Sequence, residues 1–490
     1  MRILKTLCAA VGLVLALFAA CDPARQQQTV DNRSLESTPA IDEQQLLDDT
    51  FRIDIQTIEV TFDYFPEQSY VHGRAEVTFQ MRPGQTQPLI HFDPAVRGQP
   101  PHLIRLDGEV LDFADPADVR IVEFDGSSQK ALEFQRHPAE NMDHTIEMTY
   151  RLDSPQGYPR FSPDVSDIEG TGNEEIFPTL NTPHELARHR IFINVHGSSP
   201  FRCLGSGLVE PVSGPVQGWV LDSEREVASY TLFFVVVPAD DVQYRTRTIN
   251  GVAVRVMAFI GGASIDEAFA ALESWLPELE ADLGPFPMPR GLSIFLTHFG
   301  GGMEFYGGTI TSLSVLEHEV FHMYFGCSTV AKTFRDSWWD EAINMWYEYS
   351  VDPEFTPIPE NYRSNIVGGR SPIAVGFDRR AYDEGARIFQ AVAVELGGRG
   401  AMIGFLRYLH QNYTFAPFTT IDLLDYLEDY AGVDMHDRFI DWLYNGDRTY
   451  YAAVSTSSSP PLPQGRKVDL TPPEAILKKY THRQARERQH

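Results

Sequence analysis

Residues 314–325 read Ser-Val-Leu-Glu-His-Glu-Val-Phe-His-Met-Tyr-Phe, and within them His318-Glu319-Val320-Phe321-His322 forms the pattern H-E-x-x-H. No Gly or Pro occurs before Gly326, so the spacing predicts a helix over 314–325. Side chains four residues apart share one face of a helix. His318 and His322 therefore present two imidazole nitrogens to one point, as a bound zinc requires. Glu319 would lie beside a water that such a metal activates. With 15 His and 68 Asp+Glu in 490 residues, about 0.06 such pentapeptides are expected by chance.

A site of this kind needs a third protein ligand. Eighteen residues separate His322 from Glu341, which stands in Trp338-Trp339-Asp340-Glu341-Ala342 and opens a second expected helix over 340–349, antiparallel to the first. Requiring Glu at that one place lowers the chance expectation to about 0.01. Two His and one Glu leave a fourth position for water or substrate, as a catalytic rather than structural zinc demands. One Zn2+ per chain, held by His318, His322 and Glu341, is the expectation.

With these residues the sequence resembles the aminopeptidase N family of gluzincin zinc metallopeptidases, whose pattern is H-E-x-x-H, eighteen residues, then Glu. Tyr324-Phe325-Gly326 and the Trp-rich run Asp336-Ser337-Trp338-Trp339-Asp340-Glu341 are similar to the family's flanks. Gly301-Gly302-Met303-Glu304-Phe305 resembles its Gly-x-Met-Glu-Asn motif. The resemblance implies that Gly301, Gly302, Met303 and Glu304 bind substrate, with Glu304 holding a free α-amino group. A cationic amine in a closed pocket needs such a carboxylate. Tyr382-Asp383-Glu384-Gly385 resembles Tyr-Glu-Lys-Gly, which implies that Tyr382 donates a hydrogen bond to the oxyanion. Phe305 in place of Asn, Glu384 in place of Lys and a short connection from Glu304 to His318 depart from the pattern. A second acidic anchor for the amine has three candidates, Glu169, Glu174 and Glu175.

By resemblance the fold class is α+β multidomain: a saddle-like N-terminal β-sheet domain, then a thermolysin-like, mainly α-helical zinc peptidase domain. The family's β-domain and catalytic domain cover about residues 51–450, a short bacterial lipoprotein form without the C-terminal helical domain. The residues read consistently with this. Short β-branched and aromatic runs at 55–62, 74–80, 227–237 and 251–259 mark a β-rich domain over 51–260. At Ser264-Ile265-Asp266-Glu267 a capping-box spacing opens a helix that Pro277 should kink and that ends at Gly284-Pro285. From there the catalytic domain, 261–452, has a strand at 292–296 and amphipathic segments at 386–396, 401–413 and 434–443. A Ser/Pro-rich and then basic tail occupies 453–490.

Residues 1–20 have a basic start and an apolar run, the layout of a secretory signal peptide. Phe18-Ala19-Ala20-Cys21 resembles the bacterial lipobox, which implies lipidation of Cys21, a tether over 21–50, and a bacterial envelope protein facing the periplasm. Asp22 leans toward the inner membrane. Export permits a disulfide between Cys203 and Cys327, and two free thiols explain the count as well.

The chain carries 40 Lys+Arg against 68 Asp+Glu, a formal net charge of −28. Such a surface excludes nucleic acid as a partner, since phosphate binding needs a basic face. It also disfavours anionic lipid against the folded body. The expected function is a zinc-dependent aminopeptidase, with Glu319 as general base, acting on peptides with a free N-terminus; the oligomeric state is not legible. Two rivals remain: a gluzincin endopeptidase, whose Asn-Glu-Ala-Ile run resembles Asp340-Glu341-Ala342-Ile343, and a non-catalytic peptide-binding lipoprotein that retains the fold.

Overall fold

The computed structural model describes residues 51–448, apart from 94–99, 124–129, 154–159, 162–165, 169–174, 184, 299, 369 and 371–377. The signal segment, Cys21, the tether and the basic tail lie outside the described residues.

An eight-stranded sheet dominates the first half. Its longest strand, Ile53–Phe65, pairs antiparallel with Tyr70–Met81 and parallel with Leu186–Val195. Alternation along it buries Ile53 and Ile55, then Ile58, Val60, Phe62 and Tyr64. The apolar phase slips by one residue between these sets, and the pairing register shifts there, between Ile55 and Thr57. The bulge absorbs the slip, so both sets face the core. Sheets of four and three strands complete the β-rich part. One apolar core continues from it into the helices.

Two expectations change. The run expected as one strand over 227–237 is two: Gln217–Ala228 ends, a 3-10 turn takes Ser229–Thr231, and Phe234–Pro238 follows. Ser229 Oγ meets Thr179 Oγ1 and lies 2.8 Å from His189 Nε2, while Thr231 Oγ1 donates to the Ala228 carbonyl at 2.7 Å. Such side-chain bonds compete with the ladder and turn the chain. The domain boundary expected at residue 260 also falls inside a sheet. Strands run in the order Val242–Ile249, Val252–Phe259, Leu292–Leu296, Gly308–Thr311, Gly302–Phe305. Asn250-Gly251, both at positive φ, close the first hairpin, and Val252–Phe259 then pairs in parallel with Leu292–Leu296. Composition does not tell which sheet a strand joins, and these two join the one that carries Glu304.

Helix α1, Ile265–Leu283, starts where Ser264 Oγ accepts from the Glu267 amide at 3.2 Å, runs on past Pro277 and stops at Gly284 with φ 108°. Helix α2, Leu316–Phe321, is shorter than the expected 314–325. Beyond it Met323 and Tyr324 bond three residues back, to the Val320 and Phe321 carbonyls, which tightens the chain into turns. Helices α3, Trp338–Tyr349, α4, Ala386–Leu396, α5, Arg399–Tyr413, α6, Thr420–Ala431, and α7, His436–Tyr444, complete the second half. Helix α6 was not singled out in the sequence, although Thr419 and Asp422 form its reciprocal capping box. Among the described residues, no helix is long and apolar enough to cross a membrane.

Burial pulls His91, His189 and His410 down to about 4 from the usual 6.5. They fold neutral, so their contribution is complete above pH 6.5 and is lost as pH falls toward 4. A tenfold change in proton affinity is about 1.4 kcal/mol, so each histidine removes on the order of 3 kcal/mol by pH 4. The melting temperature is expected to fall steeply between pH 6.5 and 4. A flat calorimetric profile over that interval would contradict the assignment.

Candidate active site

Helix α2 brings His318 and His322 onto one face, with ring centroids 4.9 Å apart and their Nε2 atoms 3.3 Å apart. Each ring is held from behind through Nδ1: His318 by Glu348 Oε1 at 2.9 Å, His322 by the Phe325 carbonyl at 3.0 Å. These bonds fix the rings so that both Nε2 atoms point at the same space. Glu341, in the first turn of α3, completes it. Its Oε2 lies 3.1 Å from His318 Nε2 and 3.5 Å from His322 Nε2. Asn344 Nδ2, one turn on, donates to the His318 carbonyl at 2.8 Å and ties α3 to α2. Glu348 was missed in the sequence, although it stands seven residues after Glu341, two turns along the same face.

Two imidazole nitrogens this close either share a proton or flank a bound cation. Burial disfavours protonated His318, yet Glu341 and Glu348 outweigh it and raise the ring to about 9. His322 is raised well above its usual range in spite of burial, chiefly by Glu304 and Glu341. Glu341, also against burial, is held far below the usual carboxylate range by His322 and His318. The three donor atoms lie within 4.8 Å of one another. Two imidazole nitrogens and one carboxylate oxygen are the donor set of a catalytic zinc, and the residues present fit it.

The second acid cluster adjoins the first. Glu304, Glu319 and His322 also bring their polar atoms within 4.8 Å. Burial raises Glu319 to about 8, and the Glu304 carboxylate adds to the rise. Glycine leaves it room: a Cβ on Gly302 would stand 2.5 Å from the Glu319 carboxylate and displace it. Gly301 turns the chain into this edge strand at φ 113°, a conformation that favours glycine. Met303 and Phe305 face the other way, into a small core where Phe305 stacks on Phe233 at 4.6 Å. Of the four expected substrate-binding residues, Gly302 and Glu304 adjoin the acids, while Met303 packs against that core. The change to Phe305 thus lies on the far face of the strand.

Tyr382 stands in a π-helical turn, Ala381–Gly385, and its hydroxyl donates to Glu341 Oε1 at 2.5 Å. A Cβ on Gly385 would lie 2.7 Å from that of Ala342, so the glycine lets the turn press against α3. Glu384 points elsewhere, accepting from Tyr362 Oη at 2.9 Å and Ser364 Oγ at 2.7 Å. Glu175 is half-buried; Glu169 and Glu174 lie outside the described residues. Cys203 and Cys327 are free thiols.

No protein-family model matches the chain. Over 390 residues it is 21% identical to human (Homo sapiens) aminopeptidase N, covering 68% of this chain and 39% of that protein. It is 22% identical over 322 residues to aminopeptidase M1-A of Oryza sativa subsp. japonica, covering 57% and 36%. The chain thus spans less than two fifths of the length of these curated relatives. An M1 zinc metallopeptidase from Deinococcus radiodurans superposes with TM-score 0.60 at 17% identity, covering 85% of this chain and 97% of that one. A mutant of that enzyme was solved with a Tyr-Ser-Ala substrate. Legionella pneumophila aminopeptidase A, solved with aspartic acid, gives TM-score 0.64 at 12% identity, covering 80% and 49%.

Removing the carboxylate behind His318 frees the ring to turn. Glu348→Ala is expected to weaken divalent-metal binding about 10- to 100-fold, read by competition with a chromophoric chelator, while Glu348→Gln recovers part of the loss.

Proposed function

We propose that this chain, a relative of aminopeptidase N in sequence and of the M1 zinc metallopeptidases in fold, is a zinc-dependent aminopeptidase. One observation carries the reading: Glu304 shares a cluster with Glu319 and His322, their polar atoms within 4.8 Å. In a peptide, the α-amine lies roughly 2.5 Å from the carbonyl carbon of the same residue. An amine fixed at Glu304 therefore places the first peptide bond, and not a later one, beside Glu319. That favours release of one residue per cycle over internal cleavage.

His318, His322 and Glu341 would hold the zinc, which when bound supplies a Lewis acid that acidifies water and polarises the scissile carbonyl. Glu319, with its proton affinity raised by burial, takes the proton of the attacking water and returns it to the leaving amine. Gly302 leaves it the room to do so. The Tyr382 hydroxyl, kept neutral and resting on Glu341, is a donor that turns to the oxygen where charge develops. Among the described residues, strand Gly302–Phe305 is the outer strand of its sheet, and such an edge suits a substrate backbone laid alongside. The helical half is read as a thermolysin-like peptidase domain. The rest of the chain's setting is proposed from residues 1–22: Cys21 carries lipid and tethers the enzyme in the periplasm of a bacterial cell envelope, with Asp22 favouring the inner membrane.

Free and N-acetylated forms of one peptide, offered to the zinc-loaded protein, test the reading. Only the free form is expected to be cut, and Glu319→Gln should lower kcat at least a thousandfold with zinc still bound. Equal cleavage of the blocked peptide would point to an endopeptidase; absence of both zinc and turnover would leave a binding protein. In a bacterial host, Cys21→Ser is expected to abolish labelling by radioactive palmitate and release the protein from membranes. Undiminished labelling would exclude that residue as the anchor.

A further inference from the structure

Tyr230 occupies the turn that interrupts the expected strand, between two pinned neighbours. Ser229 and Thr231 are buried, and the Thr231 carbonyl accepts from the Tyr306 amide at 2.7 Å. The turn is thereby tied to the end of the strand that carries Glu304. Tyr230 itself is half-buried, its ring set edge-on to Phe334 with centroids 5.6 Å apart. Burial keeps its hydroxyl proton on well above the usual range, and the charges of Asp340, Cys327 and Glu304 add to that effect. Tyr382, the other phenol near these acids, is engaged by Glu341. The Tyr230 hydroxyl makes no hydrogen bond among the described residues.

A substrate α-ammonium carries three N–H donors, and a neutral phenol offers an acceptor oxygen together with a donor. Glu304 supplies charge for the ammonium, but in a pocket poor in water each donor left unpaired costs affinity. Resting on the aminopeptidase reading, we propose that the Tyr230 hydroxyl is a further acceptor for the substrate's α-ammonium, beside Glu304. Its own proton is then free to turn to Asp340. The β-rich half thus contributes a binding residue to a site whose other groups come from the helical half and its sheet.

Tyr230→Phe keeps the ring on Phe334 and removes only the oxygen. The probes are L-leucine hydroxamate and its counterpart lacking the amine, 4-methylpentanehydroxamate, titrated calorimetrically into zinc-loaded wild type and Y230F. Wild type is expected to favour the amine-bearing ligand. In Y230F that preference should shrink about 10- to 100-fold, the worth of one charge-assisted hydrogen bond, with the des-amino ligand unchanged. With leucine arylamide, KM should rise by the same factor and kcat hold. Selectivity is a ratio within one folded protein, so lost stability does not imitate it; Tyr230→Leu should give the same ratio. Unchanged selectivity in Y230F, or equal weakening of both ligands, overturns the role of Tyr230 and leaves the aminopeptidase reading standing. A wild type indifferent to the amine overturns that reading itself.

Discussion

Two imidazole nitrogens held 3.3 Å apart across one turn of α2, with a carboxylate oxygen 3.1 Å from the first, form an arrangement that a shared proton or a bound cation holds together. Much of the helical half serves to hold it. Glu348 and the Phe325 carbonyl lock the rings from behind, and Asn344 ties α3 to the backbone of His318. The buried tryptophans Trp338, Trp339 and Trp346 seat α3 in the core. Trp339 lies flat on Phe418 at 4.8 Å, and Trp338 Nε1 donates to Thr420 Oγ1 at 3.0 Å. Thr420 in turn donates twice to Asp336, just ahead of α3. A small error in the placement of α3 would move Glu341 out of reach.

The same centre explains where part of the acidic excess resides. Glu304, Glu319, Asp340, Glu341 and Glu348 gather around two histidines, a density of carboxylates that burial alone would penalise. Burial raises Glu319 and Asp340, whereas Glu341 is held low by the imidazoles it touches. Environment thus drives acids of one chemical type in opposite directions. The departures from the family motifs at Phe305 and Glu384 do not disturb this, because each side chain points into a separate set of contacts.

How much of this was legible depended on how local the determinant is. The H-E-x-x-H pentapeptide and Glu341 were readable, because four residues of helix place two side chains on one face wherever the helix sits. Helix α4 was expected over 386–396, the range it occupies, since its amphipathic spacing is a local signal. Helix α2 came out shorter than its pattern because the chain after His322 bonds three residues back. The position of the boundary expected at 260, between strands of one sheet, was not legible because strand 252–259 finds its parallel partner some forty residues on. Glu348 was overlooked because nothing in the sequence says that α2 and α3 lie against each other in the required rotation.

The sequence by itself determined that His318 and His322 share a face with Glu319 between them, since helical periodicity and side-chain chemistry are properties of a few adjacent residues. It also determined the acidic balance of −28, since net charge is a sum that needs no fold. Only the tertiary structure decided that Gly302 makes room for Glu319, that Phe305 turns away from the site, and that the turn holding Tyr230 is tied to the end of the strand that carries Glu304. Each of these is a contact between segments distant in the chain. Such contacts are set by how sheets and helices pack, a constraint that no local pattern carries.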